Sequence, residues 1–356
     1  MPNLLLAGHF GCGNLGDDAI LLGFVQGIGR EFDLTVMSGA PEDTYRLYGL
    51  RSIPRKEMSA FNDEVEKCDA LVFPGGSIFQ DATSARSVAY YSSLVKRAKK
   101  SGKKVFLVGQ GVGPLEGFFA KRMAAAAFNS ADGIVCRDPM SPGALKEIGV
   151  NKGIKVGADL AFLLPEQPPS DDASFAVGNM KTVGIAPRPF GKNAKDSVQL
   201  FGDLARLLFQ ANMMPVLIEM DSKHDGPLIM EISKTQGGKV PDIRKLSTPM
   251  QVQGRMARMD SVIAMRLHAG ILATTVGIPP FMISYDPKVA AYAKMLDLGG
   301  SIAIEGITAQ RIFENFNVFQ RDRERHLKIM AKKREEFRAA AMVSVEAVRE
   351  GLRGRV

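Results

Sequence analysis

Several stretches of this 356-residue sequence set glycine beside acids, amides or cations directly after short aliphatic runs. The first is Gly8-His9-Phe10-Gly11-Cys12-Gly13-Asn14-Leu15-Gly16-Asp17-Asp18. Its Gly11, Gly13 and Gly16 match GxGxxG, a spacing that lets the backbone approach a ligand at a helix N-terminus. A dinucleotide site would add an acid at the end of the second strand. Here that run closes Met37-Ser38-Gly39, and Asp17-Asp18 would repel a pyrophosphate. The loop suits a neutral, hydroxyl-bearing acceptor meeting Gly13 and Asn14, with Asp17 or Asp18 as proton acceptor. The same two acids serve equally as first-turn residues that favour the helix dipole.

A second stretch, Pro74-Gly75-Gly76-Ser77-Ile78-Phe79-Gln80-Asp81, pairs close-approach Gly75 and Gly76 with Ser77, Gln80 and Asp81, the hydrogen-bonding types that a sugar needs. Gln110 stands in a third, Gly109-Gln110-Gly111-Val112-Gly113-Pro114. Arg137-Asp138 reads as a structural ion pair. The later half offers cations instead: Arg188, then Arg266 and His268 within Met265-Arg266-Leu267-His268-Ala269, then Lys288. Singly, each has a structural reading, as a helix cap or a satisfied core histidine. Together at strand ends they would repel one another unless an anion filled the gap. Arginine is the bidentate binder of carboxylate and phosphate, and imidazole can give or take a proton.

The elements that must position these residues follow a strand–helix rhythm. Aliphatic runs at 3–7, 34–37, 70–73, 104–108, 133–136 and 154–156 read as buried parallel strands, with a helix over 84–100 between two of them. A Pro-rich, acidic stretch at 165–173 breaks the pattern, which restarts at 182–185, 215–218, 261–264 and 281–284. The reading is α/β, with two Rossmann-like parallel-sheet domains: 1–168 for the acceptor, 169–310 for the donor, and an amphipathic helical segment at 311–356 packing back on the first. In that last segment Leu327, Met330, Phe337, Ala341, Val345 and Val348 form an apolar stripe opposite Lys328, Lys332, Lys333 and Arg338. Packing on the body and peripheral contact with the inner face of the membrane both suit it.

Composition narrows the class. A net charge of +8 is modest, and 7% aromatic content without tryptophan leaves few base-stacking platforms, so nucleic acid is not the expected partner. The three cysteines, Cys12, Cys68 and Cys136, lack zinc spacing and read as reduced, cytoplasmic thiols. No secretory signal is evident, and the weakly charged stretch 267–285 is interrupted by Gly277 and Pro279-Pro280.

Taken together, the segments GHFGCGNLGDDAIL, PGGSIFQDATSARSVAYY, GQGVGPL, Arg137-Asp138, GADLAFLL and MRLHAGILATTVGIPPFMISYDPKV resemble, in order and over about 3–298, the polysaccharide pyruvyl transferases, especially the bacterial cell-wall type, CsaB. The family's Arg-Leu-His signature falls on Arg266, Leu267 and His268. Departures are Pro74 in place of the first of three glycines, and Pro187 before Arg188. The resemblance implies a GT-B-like fold with two domains facing across a cleft. It also implies phosphoenolpyruvate as donor in the C-terminal half, no cofactor or metal, and a ketal formed on two hydroxyls of a saccharide acceptor. In the cell-wall type that acceptor is an undecaprenyl-linked intermediate containing N-acetylmannosamine, and the product anchors S-layer proteins. The rival readings are a nucleotide-sugar glycosyltransferase or epimerase on the same fold, and a non-catalytic nucleotide sensor.

Overall fold

The computed structural model describes residues 1–81, 85–170, 175, 178–191 and 194–353. The first residue of the helix expected over 84–100, and positions 171–173 of the Pro-rich stretch, lie outside the described residues. The chain divides into two units. One comprises Met1–Cys12, Asp17–Pro165 and Glu336–Val356; the other comprises Gly13–Gly16 and Glu166–Glu335.

Aliphatic runs with little polar interruption form all-parallel sheets in both units. In the first, β1 (Asn3–Leu6), β2 (Asp33–Ser38), β3 (Arg51–Pro54), β4 (Ala70–Gly76), β5 (Lys104–Gln110), β6 (Gly133–Cys136) and β7 (Lys155–Val156) pair in the order β3-β2-β1-β4-β5-β6-β7. In the second, β8 (Lys181–Ala186), β9 (Met213–Ile218), β10 (Asp242–Ile243), β11 (Ser261–Ala264), β12 (Pro280–Ser284) and β13 (Ser301–Ala303) pair in the order β10-β9-β8-β11-β12-β13. All seven residues of β4 are buried, as befits a strand covered on both faces. The helices are α1 (Leu15–Ile28), α2 (Pro41–Tyr48), α3 (Met58–Lys67), α4 (Ala85–Lys100), α5 (Phe118–Ser130) and α6 (Ser141–Glu147), followed by α7 (Ala194–Gln210), α8 (Asp225–Thr235), α9 (Pro249–Met256), α10 (Leu267–Thr275), α11 (Pro287–Leu296), α12 (Ala309–Arg321) and α13 (Arg323–Leu352).

Each strand order reverses once, between β1 and β4 in the first unit and between β8 and β11 in the second. Ligands of open α/β sheets bind outside the carboxyl ends of strands at such a switch point. The loops that leave those strands carry most of the residues singled out above.

The segment expected at 311–356 to pack back on the first domain is divided: Glu336–Val356 belongs to the first unit, and the part up to Glu335 belongs to the second. Phe316 and Phe319 of α12 pack edge-on against Phe281 of β12 in the second unit. Phe337 of α13 stacks on Phe162 in the first, with ring centroids 4.7 Å apart. Met330, Phe337, Ala341, Val345 and Val348 are all buried and Leu327 is half-buried, so helix packing covers most of the apolar stripe of α13. Residues 267–285 form α10 and β12, and no described helix is long and apolar enough to cross a membrane.

Candidate active site

In the second unit the switch-point loops present cations. Arg188 follows β8 and Arg266 follows β11, two residues beyond each strand end, and Lys288 lies in the first turn of α11 beyond β12. Tyr285 ties them together. Arg188 lies over its ring with 4.2 Å to the centroid. Burial pushes that hydroxyl up, while the charges of Arg188 and Arg266 pull it down and Asp286 raises it. One phenol thus senses Arg188, Arg266 and Asp286 at once.

The cations are not bare, which corrects the expectation of mutual repulsion relieved only by a ligand. The fully buried Asp225 carboxylate accepts from Nε of Arg266 at 3.0 Å and also from its Nη2, and Asp221 stands 3.7 Å from Nη2. Burial pushes the Asp225 carboxyl above its ordinary range, opposed by Arg266 and by the amide of Met220. Lys288 Nζ lies 3.2 Å from Asp286, whose other carboxylate oxygen caps α11 by accepting the Lys288 amide. Arg188 has no carboxylate partner among the described residues; its contacts are with Tyr285. A buried or half-buried carboxylate fixes the orientation of each paired cation in advance, and among the described residues no acid neutralises Arg188.

His268 sits in the first turn of α10, half-buried. Gly16 lies against its imidazole: a Cβ at Gly16 would come 2.3 Å from Nδ1 and 2.5 Å from Cγ. Gly13 and Asn14, expected to serve the first domain, belong instead to the second unit. Asn14 pairs with Asp221 as an antiparallel bridge, Gly13 accepts from the Ser222 amide at 3.0 Å, and Leu15 donates to the Met220 carbonyl. Gly13 adopts φ +84°, a conformation that glycine takes at little cost. The turn that sequence reading treated as one loop therefore serves the β9–α8 connection and the imidazole.

In the first unit several expected ligand contacts turn out to be occupied by the protein itself. Gln110 is fully buried, its amide nitrogen donating to the carbonyls of Phe73, Gly75 and Val108, so it braces the end of β4 and does not face a substrate. Asp81 accepts the amides of Glu116 and Gly117 and so holds the entry to α5. Asp18 is 6% exposed, with one oxygen accepting the Gly11 amide at 2.9 Å and the other the Tyr48 hydroxyl at 3.3 Å. Burial raises its carboxyl to about 6. These contacts make Asp18 an anchor of the Gly11 turn. Asp17 is half-buried, and a Cβ at Gly76 would lie 3.9 Å from its Oδ1. Gly75 and Gly76 hold φ of +98° and +92°, which turns the chain sharply out of β4. Ser77 accepts from Arg137 Nη2 at 2.8 Å, and Nη1 of the same guanidinium pairs with Asp159 at 2.8 Å, both partners buried. Gln80 is half-buried on the same turn.

One residue that sequence reading passed over stands beside them. Arg55, just past β3, donates to Tyr91 Oη at 2.9 Å, approaches His9 Nδ1 at 3.1 Å and Cys12 Sγ at 3.4 Å, and stands 5.6 Å from the centre of the Tyr90 ring. It has no carboxylate partner among the described residues, and its buried Nε–H donates to nothing. Burial pushes the Cys12 thiol up, with Arg55 drawing it back and Asp17 raising it. Among the described residues no three His, Cys, Asp or Glu side chains converge as a metal-binding set.

A family model described as polysaccharide pyruvyl transferase matches residues 14–287, from the Gly-rich turn to the residue before Lys288. The chain belongs to the polysaccharide pyruvyl transferase family. A curated relative, the amylovoran biosynthesis protein AmsJ of Erwinia amylovora, is 22% identical over 83% of this chain and 86% of its own length. Among solved structures, a putative UDP-N-acetylglucosamine 2-epimerase from Listeria monocytogenes superposes with a TM-score of 0.67 at 11% identity, covering 98% of this chain and 96% of that one. The calicheamicin glycosyltransferase CalG4 gives 0.53 at 11% identity, covering 100% and 99%. At such identity the likeness concerns the fold alone, which is of the GT-B type.

For this pyruvyl transferase family member, Asp221, Asp225 and Tyr285 join the residues foreseen from sequence. The signal for the two acids was present: Asp221-Ser222-Lys223-His224-Asp225 begins three residues beyond the end of β9, a strand end like the others. His224 Nδ1 lies 2.8 Å from Asp221, so that acid is fixed from two sides. Attention to cations alone passed over the acids that orient them.

Proposed function

We propose that this family member transfers a pyruvyl group from phosphoenolpyruvate to two hydroxyls of one sugar, forming a cyclic ketal and releasing phosphate. The observation that carries this reading is the gathering of Arg188, Arg266 and Lys288 around Tyr285 and Asp286, at the carboxyl ends of β8, β11 and β12. Phosphoenolpyruvate carries about three negative charges near neutrality by ordinary phosphate and carboxylate ionisation. Arg188 offers a charge that no carboxylate pairs among the described residues. Arg266 and Lys288 offer preset donors, with Lys288 exchanging Asp286 for the ligand.

A proton reaches the methylene carbon of the donor, with His268 as the acid, and the adjacent carbon gains oxocarbenium character. One acceptor hydroxyl oxygen bonds to that carbon. The phosphate leaves with its C–O electron pair, and the second hydroxyl oxygen takes its place. Of the two hydroxyl protons, one replaces the proton given to the methylene carbon and one accompanies phosphate. Asp17 is the candidate base for a hydroxyl, and Gly75, Gly76, Ser77 and Gln80 supply the turn on which a sugar would be held.

In the finer reading the acceptor is a cell-wall saccharide, an N-acetylmannosamine residue of an undecaprenyl-linked intermediate whose product anchors S-layer proteins, and the enzyme works in the cytoplasm with no cofactor. The polysaccharide role of AmsJ supports the saccharide part. Incubation with phosphoenolpyruvate and a panel of N-acetylmannosamine- and galactose-containing acceptors tests it. Phosphate release matched one-to-one by a pyruvyl mass gain on a single acceptor supports transfer. UDP or GDP release from a sugar nucleotide, without phosphate release from phosphoenolpyruvate, would assign the chain to nucleotide-sugar chemistry instead.

A further inference from the structure

Large exposed apolar side chains mostly stand singly on this protein, but Phe118 and Phe119 are adjacent, 65% and 77% exposed, at the first turn of α5. They adjoin a groove of about 880 Å³ between α4 and α5, with Val95, Met123 and Ala126 among its apolar lining. Lys96, Lys99, Lys100 and Arg122 also line it, and no carboxylate does among the described residues. Lys99 is held by Asp132 at 2.8 Å, and Arg122 lies 5.6 Å from the centre of the Phe118 ring. All of these residues belong to the first unit.

Two aromatic rings in water beside a cationic rim that carries no carboxylate among the described residues are costly for a soluble surface and suited to the boundary of a bilayer, where rings enter the interfacial layer and cations meet headgroups. A second copy of the chain fits poorly, because a two-fold contact would bring this cationic rim against itself. We infer that the α4–α5 face is a docking surface for an anionic lipid bilayer. Phe118 and Phe119 insert, Lys96, Lys100 and Arg122 hold headgroup phosphates, and the apolar groove receives part of an acyl chain. This assigns membrane contact to a face other than α13, most of whose apolar stripe is already covered.

The test needs neither donor nor acceptor, so its outcome is separate from that of the proposed reaction. Full-length protein is sedimented with vesicles of phosphatidylcholine, with and without phosphatidylglycerol, at low and high salt. Docking predicts retention on the phosphatidylglycerol vesicles that weakens with salt. Retention should fall about tenfold or more in the double variant Phe118→Ser, Phe119→Ser, from lost apolar insertion. The double variant Lys96→Glu, Lys100→Glu should lose at least about fivefold per cation removed. Circular dichroism checks that these surface variants fold, and the two pairs test the face independently. Equal retention of wild type on both vesicle types, or unchanged retention in both variants, would overturn the inference. So would a dimer seen by light scattering that the Phe118→Ser, Phe119→Ser variant abolishes.

Discussion

The Asp225 carboxylate accepts from Nε and Nη2 of Arg266 on one side and from the amides of Met220 and Asp221 on the other. Arg266 is therefore locked to the β9–α8 turn, and its guanidinium meets a ligand in an orientation set before binding. Removing the acid's charge should expose that arrangement. In Asp225→Asn the charged partner that the arginine keeps among the described residues is Asp221, at 3.7 Å. Breaking a buried pair costs about 3–5 kcal/mol, and the partial exposure of Arg266 and the remaining amide oxygen reduce this to on the order of 2 kcal/mol here. Urea unfolding should register that loss, and KM for phosphoenolpyruvate should rise. Wild-type stability together with a wild-type KM would remove the locking role.

Gly16 sets the position of His268. Because a methyl group there would lie 2.3 Å from Nδ1, Gly16→Ala must push the imidazole aside. Displacing a catalytic group by about 1 Å can cost about a hundredfold in rate. The expected result is a kcat lowered about that much, with phosphoenolpyruvate affinity within a few-fold of wild type. Measurement of kcat beside donor binding separates the two, and an unaltered kcat would show that the site tolerates the shift.

His268→Ala removes the proposed acid outright. The account predicts a loss of about 10²–10⁴ in kcat at saturating donor. Near-normal turnover under those conditions would exclude His268 as the acid.

Asp18 makes a pH prediction. Burial raises its carboxyl to about 6, above the ordinary aspartate range it has when unfolded, so from about pH 4 to about pH 6 the native state holds more protons. Stability then falls as pH rises through that window, by about 3 kcal/mol at most, and is flat with respect to this group above it. Asp18→Asn keeps an acceptor for Gly11 and lacks the slope. Unfolding at about pH 4.5 and about pH 7 should show the stability advantage of the variant growing with pH. A constant difference between the two pH values would contradict the assignment.

The sequence made the central parallel strands legible because runs such as Ala-Leu-Val-Phe at 70–73 are buried on both faces and need no alternation. It did not reveal β3, β10 and β13, whose two to four residues, Arg-Ser-Ile-Pro for example, lie toward the sheet edges and are defined by their pairing with neighbours. The cations of the site were readable because strand ends are where parallel sheets do chemistry. Their partners were not, because Asp225 reaches Arg266 across 41 residues of chain. Gln110 and Asp81 misled for a related reason: a polar side chain after a strand has the same sequence signature whether it meets a sugar or satisfies buried backbone groups. Arg55 carried no sequence signal, since its cluster draws His9 and Cys12 from one distant segment and Tyr91 from another.

The central claim is that the loops after β8, β11 and β12 hold the donor, and calorimetric titration of phosphoenolpyruvate tests it most directly. Wild-type protein should bind one molecule per chain, and Arg188→Ala should raise Kd about thirtyfold or more, the loss of a charged contact worth at least about 2 kcal/mol. An identical Kd in Arg188→Ala, or no binding to the wild type while a nucleotide sugar binds, would contradict the account.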